Sequence, residues 1–430
     1  LSFRKLRSLI KYVYLLTFYR CLRLFFNGIK QNIVSTVSLW WLDYMQNTSP
    51  FLTAEHEMYR EQLQKFVRRE IVPNVEDWEE AGRVPRLVYK KAAQAGVLGL
   101  GFPEEWGGFP GDRLYAIVLQ QELARGGAGG VVAALLSHTI SMPAVVREGS
   151  AELQQRVLPA VLAGEKIAAL ACTEPTGGSD VAALRTTARR EGSFYVLDGE
   201  KTFISSGMQA DFFVVVVRTG GAGIAGLSLL LVEGDAKGLS RAPLKKTGWL
   251  SSDTATLYFD QVRVPVANLI GIEGRGFNAL TKNFNDERLG MAASSIAFAN
   301  LAYEEALAWA RMRTTFGRPL VEHQVLRHKL VDMFQAISAS QAYLEKVAWC
   351  LDSGMNVVAD VCMLKNQATK TLAFCASEAV QILGGAGYLK GSNIERIYRE
   401  VKVNAIGGGT EEIMKELAAR QLEIGNVRGE

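Results

Sequence analysis

Apolar positions recur at helical spacing at both ends of the chain and give way to short apolar runs in its middle. Near the start, Met58, Leu63, Phe66 and Val67 share one face of a helix expected over residues 55–70, with Thr53 as its cap and Pro73 as its stop. Pro85 opens a second helix over 87–98, and further apolar faces lie at 116–123, 131–136 and 153–162. Residues 99–110, which contain Glu104-Glu105-Trp106-Gly107-Gly108, read as a loop. Residues 45–167 are therefore expected to form a helical domain.

The pattern changes at Ala168. Residues 194–197, the pair Asp198-Gly199 and residues 201–204 predict a hairpin across an Asp-Gly turn. Runs at 212–217, 227–232, 257–259 and 262–264 have strand length, so residues 168–275 predict a mostly antiparallel barrel or sandwich. Gly221, Gly223 and Gly226 fit a dinucleotide-binding GxGxxG, but that motif must open a helix. Here a strand-like run follows, so a glycine hairpin loop is expected instead.

From Phe277 to Arg313 there is no proline and one glycine, Gly290, while Phe277, Leu280, Phe284, Met291 and Ile296 recur at helical spacing. Long helical patterns follow at 325–351, 357–383 and 413–422. Residues 276–430 thus predict a four-helix-type bundle, and the chain as a whole an α+β multidomain protein.

Composition narrows the function classes. The 430 residues are 48% hydrophobic and 21% charged, with a net charge of +4. Residues 1–44 carry seven cations against Asp43 alone, which leaves the remainder near neutral and argues against nucleic acid as a partner. In that segment the longest uncharged run, 31–42, has 12 residues, short of the roughly 20 a membrane helix needs, so no transmembrane segment is expected. A basic interfacial helix, a targeting peptide and translated sequence upstream of the start are three readings of it. The third is preferred, because the chain opens on Leu and Met45 stands just before the first helix pattern. The segment is left outside the fold.

Cys21, Cys172, Cys350, Cys362 and Cys375 are widely spaced, which suits a reducing compartment. His56, His138, His323 and His328 lack zinc-site spacing, so no metal is expected.

Two stretches carry candidate chemistry. Residues 172–180, C-T-E-P-T-G-G-S-D, place small hydroxyl and glycine residues directly after an apolar strand. Residues 406–416, I-G-G-G-T-E-E-I-M-K-E, set three glycines before a helix whose first amides face any ligand there.

With K-T-F-I-S, R-T-T-F-G-R and Q-I-L-G-G-A-G-Y between them in order, these motifs resemble the acyl-CoA dehydrogenase family over about residues 51–425. The resemblance implies a helical, a β and a second helical domain. It also implies FAD as cofactor, an acyl-CoA substrate, electron-transfer flavoprotein as acceptor and a homotetramer. The compartment would be the cytoplasm of a bacterium or the mitochondrial matrix of a eukaryote. Residue by residue, it assigns flavin contacts to Thr173, Gly178 and Ser179. Phe203 and Ser205 stand where the family usually has Trp and Thr against the ring. Arg313 and Gln324 match diphosphate and adenine contacts reached from a neighbouring subunit, and Gln381, Gly384, Gly385, Thr410 and Glu412 complete the set. Ser179, Asn285, Arg288, Gly408 and Gly409 match positions that touch the acyl-CoA.

The departure concerns the base. Many members carry a catalytic glutamate two residues before the Thr of the terminal motif, as Y-E-G-T; here that position is Gly408. Long-chain and isovaleryl-type members place it instead in a Glu-Arg-Leu sequence, which here is Glu287-Arg288-Leu289. G-G-T-E-E-I-M-K-E resembles the long-chain branch more closely. The resemblance then implies α-proton removal by Glu287, polarisation of the thioester carbonyl by the Gly408 amide and a flavin ribityl hydroxyl, and hydride transfer to the flavin, giving a trans-2-enoyl-CoA in fatty-acid β-oxidation. Asp286, Glu411 and Glu412 are rival carboxylates. Isovaleryl-type or terpenoid substrates, an oxidase, and a catalytically silent scaffold are the competing functions.

Overall fold

The computed structural model describes residues 49–425, so the segment 1–44 and every reading of it lie outside the described residues. The first layer is helical: α1 (Ala54–Phe66), α2 (Val75–Ala81), α3 (Arg86–Gln94), α4 (Arg113–Ala124), α5 (Gly129–Leu135), α6 (His138–Glu148) and α7 (Ala151–Leu162). Caps start several of them. Asp112 accepts from the Tyr115 amide at 3.0 Å, and Ser150 from the Leu153 amide at 3.2 Å. Helix α6 has no clear apolar period because His138 and Ser141 lie on its buried face and Pro143 inside it. The stretch Gly129–Glu148 is apolar and long enough to cross a membrane, but 72% of its most apolar window is buried, as in a core element.

The second layer comprises β1 (Ala168–Ala171), β2 (Thr187–Glu191), β3 (Phe194–Ser205), β4 (Phe212–Arg218), β5 (Leu227–Glu233), β6 (Leu239–Pro243), β7 (Thr254–Pro265) and β8 (Leu269–Ile270). They form one hydrogen-bonded path, β6-β7-β3-β2-β4-β5-β8, with β1 added parallel to β4. Strand β4 is apolar without alternation because both of its faces are covered. Phe213, Val215 and Val217 enter the main core, while Phe212, Val214 and Val216 join Met142, Leu158 and Leu280 in a second one. Each such buried side chain contributes about 1.5–3 kcal/mol. Gly221 to Gly226 form a loop that leads into β5, so no helix follows those glycines.

The Asp198-Gly199 hairpin does not form. Strand β3 runs straight through the pair, and the sheet absorbs it as a bulge against β7. The Asp198 carboxylate accepts from the Gln261 amide at 3.0 Å rather than closing a turn on its own strand. For the same reason the two short strands expected at 257–264 are one strand, β7. Gly199 has φ +142°, and a Cβ there would lie 2.8 Å from Thr186 Cα. Gly199→Ala is expected to cost about 1–3 kcal/mol in urea unfolding; an unchanged midpoint would show that the bulge relaxes freely.

The third layer is α8 (Gly276–Thr281), α9 (Phe284–Met312), the small hairpin β9 (Thr314–Thr315) and β10 (Arg318–Pro319), then α10 (Gln324–Asp352), α11 (Val358–Leu383), α12 (Asn393–Ile406) and α13 (Glu411–Gln421). The helical pattern from Phe277 breaks at Lys282-Asn283, and the Asn283 side-chain amide ties the break to the first layer by donating to the Thr139 carbonyl at 2.9 Å. Buried alanines of α9, among them Ala292, Ala299 and Ala306, allow α11 to pack closely. Helix α12 escaped the sequence reading because its inner face is mostly polar: Glu395, Arg396, Glu400 and Asn404 are buried there beside Ile394 and Ile397.

Candidate active site

Helix α9 begins beside the glycine turn between α12 and α13. Gly408 and Gly409 have φ +64° and +103°, which only glycine adopts without strain. A Cβ on Gly408 would stand 3.8 Å from Glu287 Oε1 and 2.7 Å from Met291 Sδ. The carboxylate from α9 thus lies next to the space that a side chain at position 408 would enter. Arg288, buried against the Phe284 ring, donates from Nε to the Gly408 carbonyl at 3.2 Å. Among the described residues the Glu287 carboxylate has no hydrogen-bond or ion-pair partner, and the Gly408 N–H has no acceptor. Burial pushes the Glu287 carboxyl above the usual carboxylate range, and the Arg288 and Lys365 charges oppose that rise.

The rival carboxylates are engaged elsewhere. Asp286 pairs with Arg113 at 2.7 Å, and Glu411 with Lys415 at 3.6 Å and Lys370 at 3.7 Å. Glu412 is exposed in the first turn of α13, held below the usual carboxylate range by backbone and Thr410 hydrogen bonds. The Thr410 hydroxyl caps α13 by accepting from the Ile413 amide at 3.3 Å. Asn285 is half-buried in the first turn of α9.

Across from the turn stands the loop after β1. Lys201, fully buried, reaches from β3 to the Cys172 carbonyl at 2.9 Å and the Glu174 carboxylate at 2.8 Å. Glu174 also accepts from the Arg185 and Thr186 amides at 2.6 and 2.8 Å. The Thr202 amide donates to the Thr173 carbonyl at 2.8 Å. The loop carrying Thr173, Gly178 and Ser179 is thereby fastened to the strand carrying Phe203 and Ser205. Burial pushes the Cys172 thiol up to about 11, the Lys201 charge opposing the rise and Glu287 adding to it, so the thiol and the carboxylate lie within electrostatic reach of each other.

Phe203 is the anomaly in this region. It is 69% exposed and has φ +60°, a left-handed conformation that costs a bulky residue about 1–3 kcal/mol. An aromatic face held outward at that cost, between Thr202, which is bonded to the Thr173 loop, and Ser205, fits a flat polar-edged ring such as a flavin.

The remaining expected contacts lie elsewhere. Arg313 follows the far end of α9, about 39 Å from Glu287 at the helical rise. Gln324 opens α10 at that end, while Gln381, Gly384 and Gly385 sit at the end of α11, which an ion pair between Lys329 and Glu378 ties to the start of α10. All five are exposed, and Phe316, on the same side in the β9–β10 hairpin, is 98% exposed. One copy of the chain therefore presents two separate sets.

The sequence reading missed Met291, Lys365 and Glu400. The first two are visible only as a Met one turn after Glu287 and a lone Lys within an apolar run. Glu400 accepts from the Gly129 and Trp249 amides, each at 2.8 Å, and burial followed by Glu79 pushes its carboxyl up to about 7.

A recessed acid beside a glycine turn with a free amide, and an outward aromatic face on the sheet, suit a flavin-dependent oxidoreductase acting on carbon–hydrogen bonds. The family models for the N-terminal, middle and C-terminal domains of acyl-CoA dehydrogenase match residues 53–165, 169–262 and 274–423. The chain belongs to the acyl-CoA dehydrogenase family, whose members are FAD-dependent oxidoreductases. It is 36% identical over 374 residues to the mitochondrial long-chain specific acyl-CoA dehydrogenase of Rattus norvegicus, covering 86% of this chain and 87% of that one. It is also 36% identical to the short-chain specific acyl-CoA dehydrogenase of Clostridium acetobutylicum, covering 85% of this chain and 97% of that one. Among solved structures, a probable acyl CoA dehydrogenase from Mycobacterium abscessus superposes with a TM-score of 0.85 at 44% identity, covering 86% of this chain and all of that one.

Proposed function

We propose that this acyl-CoA dehydrogenase acts on long-chain acyl-CoA in fatty-acid β-oxidation, with Glu287 as the base. The observation that carries the reading is the unpaired, recessed Glu287 carboxylate beside the side-chain-free Gly408. The G-G-T-E-E-I-M-K-E stretch, which resembles the long-chain branch, supports the chain length.

An α-hydrogen next to a thioester is weakly acidic, and two features of the site narrow the gap. Burial raises the proton affinity of Glu287, so it competes better for the α-proton. The Gly408 N–H, lacking an acceptor of its own, is available to the thioester carbonyl as negative charge develops. Asn285, Arg288 and Gly409 line the same turn and bear on the acyl-CoA. Bound FAD supplies the acceptor for the β-hydrogen. Thr173, Gly178, Ser179, Phe203 and Ser205 hold its ring, with Thr410 and Glu412 beside them. Arg313, Gln324, Gln381, Gly384 and Gly385 stand too far from Glu287 to serve the same ring within one chain. They are assigned to the cofactor of a neighbouring subunit in a homotetramer, with electron-transfer flavoprotein as the final acceptor.

The test is anaerobic titration of the FAD-loaded protein with palmitoyl-, butyryl- and isovaleryl-CoA, followed by flavin absorbance. Palmitoyl-CoA is expected to bleach the flavin fastest. A preference for butyryl- or isovaleryl-CoA would replace the chain-length assignment. Bleaching by none of them would point to a silent scaffold, and rapid recovery of colour in air to an oxidase.

A further inference from the structure

Lys365 lies in the first third of α11 at 0% exposure, among the equally buried Val361, Cys362, Leu364 and Ala368. A buried ammonium is costly unless its donors are satisfied. Its Nζ donates to the Gly409 carbonyl at 2.7 Å and to the Ala405 carbonyl at 3.2 Å. Among the described residues it forms no salt bridge, although Glu411 of α13 and Glu287 of α9 lie within electrostatic reach. Arg288 of α9 and Cys362 of α11 face it as well. Burial brings the ammonium down to about 8, Glu411 and Glu287 opposing the fall and Arg288 adding to it.

Together with Arg288, which holds the Gly408 carbonyl, this lysine fixes carbonyls 405, 408 and 409 of one turn from two helices. The backbone at 408 and 409 is otherwise the most permissive in the site, since glycine samples many φ values. We infer that Lys365 is a positioning residue of the active site: its buried charge pins the glycine turn that presents the Gly408 amide, and it stabilises the ionised form of Glu287. The inference rests on Glu287 being the base. A neutral residue at 365 removes a positive charge near that carboxylate, so Glu287 becomes harder to ionise and its working pH range moves upward.

The experiment compares pH profiles of anaerobic flavin bleaching in the FAD-loaded wild type and in Lys365→Met, using the acyl-CoA that bleaches the wild type fastest. The rate rises with pH as Glu287 loses its proton. In Lys365→Met that rise is expected to shift upward by up to about one pH unit, because the turn that Lys365 holds lies beside Glu287 and a nearby positive charge favours the ionised acid. Lys365→Arg, which keeps the charge, is expected to return the rise towards its wild-type position even where the turn is disturbed and the maximal rate falls. Flavin absorbance confirms that each variant holds FAD, and Lys365→Gln takes the place of the Met variant if that one does not. A rise at the wild-type pH in the neutral variant would overturn the electrostatic half of the inference, and an unchanged maximal rate there would overturn the pinning half. Glu287→Gln separates the two levels. If it is inactive while the neutral 365 variant shows no shift, only the role of Lys365 is wrong. If it remains active, the base assignment fails and the role of Lys365 fails with it.

Discussion

Glu287→Gln is expected to lower the rate of dehydrogenation by about 10³–10⁴-fold, near the upper range for removing a general base, while leaving the fold and FAD content unchanged. The two halves of this expectation come from the same observation. A carboxylate with no partner, recessed beside a glycine turn, contributes little to stability and is free to receive a proton. Its direction of shift gives the sign of the stability effect. Burial raises the folded-state value above that of the unfolded chain, so the ionised form is disfavoured by folding. That penalty is absent below the unfolded value and fully present above the folded one. A neutral glutamine removes it, so at pH 7 the variant is expected to be at least as stable as the wild type in urea. Loss of activity without loss of stability would mark a group kept for chemistry. Undiminished bleaching of the flavin in the variant would sink the assignment, and the rivals are poor replacements because Asp286 and Glu411 are already paired with cations.

The second large effect is expected at Lys201. Lys201→Met leaves Glu174 buried without its cation, and breaking a buried pair from one side typically costs about 3–5 kcal/mol. Burial alone raises Glu174, but the Lys201 charge and hydrogen bonds outweigh it and hold the carboxyl below its usual range. The stabilisation is therefore present at neutral pH and is lost as pH falls through that lowered value. The same substitution frees the Cys172 carbonyl, which anchors the loop bearing Thr173 and Ser179. Unfolding in urea is expected to show the stability loss, and gel filtration a weaker retention of FAD. Glu174→Gln added to Lys201→Met is expected to recover part of the stability, since the amide is uncharged and its single oxygen still accepts from one of the two backbone N–H groups, Arg185 or Thr186. A single variant as stable as the wild type, with FAD retained, would show that the pair does not hold the loop.

Much of the architecture was legible because it depends on local periodicity. Helical spacing marked α1, α9, α10 and α11, and the unbroken apolar run of β4 marked a strand covered on both sides. Local rules failed where a residue's partner was distant. Asp198-Gly199 has turn chemistry, but the long β3–β7 pairing captured it as a bulge. Helix α12 has charged residues on its inner face, and their partners come from other elements, as in the 3.0 Å pair of Arg396 with Glu76.

By itself the sequence determined the helical–sheet–helical order, the glycine turn without a side chain at 408, and a Glu-Arg-Leu set in the helix that opens the bundle. These follow from spacing and from the chemistry of single residues. Only the tertiary structure decided that the two stretches meet, since Arg288 reaches Gly408 across 120 residues of chain. It alone decided that Glu287 is unpaired and raised, that Phe203 stands outward in a left-handed conformation, and that Lys365 lies beneath the turn. Burial, proton affinity and strain depend on which distant elements surround a group, and no local pattern records them.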